Sequence, residues 1–105
     1  MSNNEKIIVK IDPDLEELIP TFLHNKRNEI SVLTQSLDMG DFGKIRLLGH
    51  SMKGAGGGYG FDEISNIGEK IELAATEHDK VEINIQIGEL ISYLDNIEVV
   101  YVEED

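Results

Sequence analysis

Between Phe22 and Ile97, apolar residues return at spacings of three, four and seven in four successive stretches, and nothing else in the chain constrains its fold so strongly. That spacing is the period of the α-helix, where residues three and four apart share a face. Phe22, Leu23, Ile30, Leu33 and Leu37 mark the first stretch, and Phe42, Ile45, Leu48, Met52 and Ala55 the second. Ile64, Ile67, Ile71 and Ala74 mark the third, and Ile83, Ile87, Leu90, Ile91, Leu94 and Ile97 the fourth. Stop and start signals fall between them. Asp38-Met39-Gly40-Asp41 ends the first helix, and Asp41 can cap the second. Gly60 suits a left-handed cap after the second, Asp62 can cap the third, and His78-Asp79 breaks the chain before the fourth. With 105 residues there is room for one domain, 1–105, around one core. The predicted fold is all-α: an antiparallel up-down-up-down four-helix bundle.

The ends of the chain read differently. Residues 6–11 and 98–102 are β-branched without a helical stripe, which predicts two short terminal strands. Asp12-Pro13 opens a short extra N-terminal helix, and Pro20 kinks it or starts the next one. In an up-down-up-down bundle the first helix begins where the last one finishes. Residues 7–11 and 99–102 are therefore brought together and are predicted to pair as a small antiparallel ribbon, leaning on the helices because two strands alone are marginal.

Composition narrows the function. Lys and Arg number 9 against 21 Asp and Glu, a net charge of −12, which argues against nucleic acid and anionic membrane as partners. The absence of cysteine excludes disulfides, thiolate metal sites and a cysteine nucleophile. The N-terminus carries no signal-peptide apolar run, and no stretch approaches the ~20 residues that span a bilayer, so a cytoplasmic monomer is expected.

The second helix holds the chemistry. On a wheel with Phe42 at zero, Arg46, Gly57, His50, Gly54 and Leu47 fall between about 40° and 140°, with Lys53 near 20°, while the apolar stripe occupies the other side. His50 is thus predicted to point outward, flanked by two cations and two residues without side chains. Residues 42–61 hold Lys44, Arg46 and Lys53 and no Asp or Glu, leaving 6 basic and 21 acidic residues elsewhere. The sequence reads as a small positive island centred on that histidine. Interior glycines each cost about 1 kcal/mol of helix stability, so Gly54, Gly56, Gly57 and Gly58 need a reason, namely close approach by a neighbouring helix or a docking protein.

An outward imidazole is a good nucleophile near neutral pH. Lys53, one turn on, can neutralise phosphoryl oxygens, and Gly54 leaves the approach uncrowded. Other chemistries fail on spacing. The glycine run lacks the Gly-Lys-Ser/Thr ending of a phosphate loop, and the spacing of a dinucleotide turn fails at Tyr59. A carboxylate-bridged metal bundle needs Glu-x-x-His pairs, whereas His24 and His78 follow Thr21 and Ala75; both read as ordinary surface residues.

The stretch His50-Ser51-Met52-Lys53-Gly54 resembles the His-x-x-Lys-Gly signature of histidine phosphotransfer (HPt) domains. The likeness extends to Leu-Ile-Pro-x-Phe-Leu at 18–23, to the Gly58-Tyr59-Gly60-Phe61 turn, and to Ile91-x-Tyr-Leu, as in small stand-alone members. Ala55 replaces a serine found in many of them, and Gly56-Gly57-Gly58 is richer in glycine than usual. The resemblance implies a phosphorelay intermediate of two-component signalling: a phosphocarrier without its own ATP-dependent kinase activity, serving response-regulator receiver domains and a hybrid sensor histidine kinase. By that likeness His50 is the phosphorylated residue, Lys53 the charge stabiliser and Gly54 the clearance position, with Arg46, Leu47 and Gly57 meeting the partner. No cofactor is implied, Mg²⁺ being expected on the receiver alone. The alternative is an adaptor that binds receivers without being phosphorylated.

Overall fold

The computed structural model describes residues 6–103. Strand β1 (Ile7–Ile11) and a 3-10 turn (Pro13–Leu15) precede four helices. These are α1 (Ile19–Met39), α2 (Phe42–Tyr59), α3 (Asp62–Thr76) and α4 (Lys80–Asn96), which runs directly into strand β2 (Ile97–Tyr101).

Local chemistry accounts for most boundaries. Gly40 and Gly60 end α1 and α2 at φ 69° and 92°, the left-handed region where a Cβ is costly. The Asp41 and Asp79 carboxylates accept from the backbone N–H groups of Lys44 and Glu82, capping α2 and α4. Pro20 sits in the first turn of α1, where its missing N–H is no loss. α2 continues through all its glycines to Tyr59. Asp62, expected as a cap, is instead the first residue of α3, with Phe61 at the N-cap turning its ring into the core. The expected N-terminal helix is only the three-residue 3-10 turn, capped by Asp12 through the Asp14 N–H.

The stripes form one core. Leu33, Ile45, Met52, Phe61, Ile64, Ile71, Ile83 and Leu90 have no exposed surface, and Phe22 stacks between Tyr59 and Phe61 at 4.5 and 5.3 Å between ring centres. Each such side chain contributes about 1.5–3 kcal/mol of transfer free energy. Ile91 departs from its expected place: it lies 40% exposed, because it sits about 100° around α4 from Leu90, and Tyr93 and Gln86 close that face instead. Ile97, read as the end of the fourth helix, opens β2 and is half-buried.

The terminal strands do pair, but in parallel, with Ile7 opposite Ile97 and Ile11 opposite Tyr101. The antiparallel expectation rested on the β-branched composition of the two segments and on the topology that brings them together, and neither of these fixes strand direction. Residues 12–18 hold the 3-10 turn and reverse the chain before α1 starts, whereas α4 passes into β2 without a loop. The strands run 7–11 and 97–101, against the expected 6–11 and 98–102. Buried Ile11 anchors the ribbon to the bundle beside Gly60, where an added Cβ would stand 3.1 Å from the Ile11 Cδ1.

Candidate functional site

α2 and α3 pack more closely than any other helix pair, and three glycines permit it. A Cβ at Gly49 would lie 2.7 Å from the Glu72 backbone nitrogen, one at Gly56 2.6 Å from that of Ser65, and one at Gly68 2.5 Å from that of Lys53. These are backbone collisions that no rotamer change relieves. Ser65 Oγ also donates to the Lys53 carbonyl oxygen at 2.8 Å, tying the helices together across the seam.

That approach brings α3 carboxylates to the outward face of α2. His50 projects into solvent, with 69% of its side chain exposed, and its Nδ1 lies 3.0 Å from Glu72 Oε2. A carboxylate only accepts, so this contact places the imidazole proton on Nδ1 and leaves the lone pair on Nε2, directed outward. Lys53 is half exposed, its ammonium 3.4 Å from Glu69 Oε2. An exposed pair of this kind is worth 0–1 kcal/mol, so Lys53 leaves it readily for a stronger anion.

The remaining predicted positions lie on the same exposed side. Arg46 and Leu47 stand one turn before His50, Leu47 being 60% exposed. A Cβ at Gly54 would meet nothing within 4 Å, and one at Gly57 only Ser65 Oγ at 3.8 Å. Gly54 and Gly57 thus face open space, whereas Gly56 joins Gly49 and Gly68 on the helix-packing side.

One expectation needs correction. The positive island of residues 42–61 is not purely positive in space, because Glu69 and Glu72 cross from α3 to pair with Lys53 and His50. His24 and His78 are exposed as expected, and His78 stacks face-on against Phe42 at 4.3 Å with φ 55°. Glu72 was missed because nothing local singles it out among 21 acidic residues. The one signal was that Glu69 and Glu72 are three apart on α3, beside its apolar stripe and so on one face.

Among the described residues no helix is long and apolar enough to cross a membrane. A search of curated proteins and a search of solved structures each returned no match. The family model described as Hpt domain matches residues 17–99, from just before α1 into β2. With that match over most of its length, the chain belongs to the Hpt domain family, whose members carry phosphoryl groups on histidine in two-component phosphorelays.

Proposed function

We propose that His50 is the phosphoryl-carrying residue of this phosphorelay intermediate, that its donor is a receiver-domain aspartate or a sensor kinase, and that its acceptor is the aspartate of another receiver. The observation that carries this reading is the outward imidazole held at Nδ1 by Glu72 beside the bare Gly54 surface. The Nε2 lone pair attacks the phosphorus of an aspartyl phosphate in line. The N–P bond forms as the P–O bond to the aspartate breaks and its carboxylate departs. The proton stays on Nδ1, where Glu72 offsets the positive charge that the ring acquires. Lys53 turns from Glu69 to the phosphoryl oxygens as negative charge gathers on them. Onward transfer is the same step reversed on a second receiver. The chain acts as a phosphocarrier and not as a kinase: the phosphoryl group arrives on a protein donor, and any Mg²⁺ required is held by the receiver. Receivers meet the face of Arg46, Leu47, His50, Lys53, Gly54 and Gly57.

The test is incubation with a phosphorylated receiver or sensor kinase. The expected product is an acid-labile, base-stable label on the wild-type protein and none on His50→Gln. Label persisting on His50→Gln overturns the assignment. A wild-type protein that binds receivers but takes no label would be an adaptor.

A further inference from the structure

A second surface lies beyond the C-terminal end of α2, on the terminal ribbon. Among the described residues the sheet holds β1 and β2 alone, so each strand keeps one edge without a strand partner there. A groove of about 440 Å³ runs along β1, lined by Ile7, Ile8, Val9 and Lys10 and, opposite them, by Gly60, Asp62, Glu63 and Tyr93. Successive side chains of a strand point to opposite faces. A groove that touches four consecutive residues of β1, and none of β2, follows the main-chain edge and not a face. Ile7 and Ile8 are 42% and 53% exposed beside it. The groove continues into a hollow of about 320 Å³ lined by Ile7, Glu63, Glu89, Ser92 and Tyr93. Its walls thus present three carboxylates against the single ammonium of Lys10.

We propose that the free edge of β1 is a docking strip for an extended, cationic peptide segment of a partner protein. The segment adds as a third strand through its backbone and sets its basic side chains against Asp62, Glu63 and Glu89. Main-chain pairing supplies the affinity of such strand addition, and side chains supply the selection. Tyr93 stands beside these carboxylates, and its hydroxyl is pushed up to about 12, by burial first, with Glu63 and Asp62 adding to it. A second copy of the chain fits worse. Antiparallel self-pairing centred on Ile8 sets Lys6 opposite Lys10, and like charges directly opposite destabilise a sheet. It also joins two bodies of net charge −12. Gly60 lies ten residues along the chain from His50, about 15 Å at the helical rise, so an occupied strip leaves the imidazole free. The inference stands whether or not His50 is phosphorylated.

The experiment titrates the wild-type protein with a peptide of about eight residues alternating lysine and valine, read by NMR shifts and amide exchange. Shifts are expected at residues 7–11, Asp62, Glu63, Glu89 and Tyr93, with slowed exchange at the β1 amides not bonded to β2. The same peptide with alternate backbone nitrogens methylated keeps its charge but cannot pair, and should bind about tenfold more weakly or worse. Glu63→Gln/Glu89→Gln should weaken the unmodified peptide by about tenfold. Equal binding by the methylated peptide or by a glutamate–valine peptide overturns the proposal. So do shifts confined to the His50 face, or β1 amides protected by self-association before any peptide is added.

Discussion

Glycine serves two opposite purposes within one helix. Gly49 and Gly56 face α3 with backbone at 2.7 and 2.6 Å from where a Cβ would be, while Gly54, between them in sequence, faces open space. The same residue type is obligatory at the first two for packing and free at the third. The packed glycines build the site indirectly, since the seam they allow is what lets Glu72 reach His50. The bare one adds no side chain to the exposed surface beside the imidazole. Helix-forming cost is paid in both places, but only at the seam does the fold recover it.

The comparison breaks most sharply at Gly68, the α3 side of the seam. Gly68→Ala forces a Cβ to 2.5 Å from the Lys53 nitrogen, and should destabilise by about 3 kcal/mol, outweighing the ~1 kcal/mol of propensity that alanine brings. Urea denaturation measures it. Combined with Gly49→Ala, the cost should be less than additive, because both added methyls meet at one helix crossing. Equal and additive losses would show two separate contacts instead.

Gly54→Gln tests the bare side. Folding should be kept or improved by several tenths of a kcal/mol, while transfer from a phosphorylated receiver slows by about a hundredfold as the side chain holds the donor off. Wild-type transfer by this variant would mean that the docking face has been misplaced.

Glu72→Gln asks whether the seam matters to chemistry. An amide can hold Nδ1 but cannot offset the charge of the phosphorylated ring, so transfer should slow by about tenfold at unchanged receiver affinity. A rate equal to wild type would leave Glu72 a purely structural neighbour. The smallest effect is Gly54→Ala, expected to raise stability by about 0.5–1 kcal/mol, opposite in sign to the same change at Gly68. Thermal unfolding of the two variants side by side reads that reversal.

The helices, most of their ends and the outward histidine were legible in the sequence because each depends on neighbours within a turn or two. Apolar spacing selects the buried face, Asp41 and Asp79 cap residues three positions on, and Gly40 and Gly60 take φ values that only local backbone sterics restrict. Leu47 and His50 fall outside the stripe by the same arithmetic.

Tertiary structure alone decided the rest. Which glycines are packed depends on where α3 crosses α2, a distance set by the whole core and not by residues 49–58. Glu72 joins His50 across 22 residues of chain, and its carboxylate sets a negative charge beside a run that has none of its own. The ribbon is parallel because residues 12–18 turn the chain back before α1, and its partner strand lies 90 residues away by register. Periodicity reports which face is buried but carries no record of what is buried against it, and that pairing is fixed only when all four stripes close on one core.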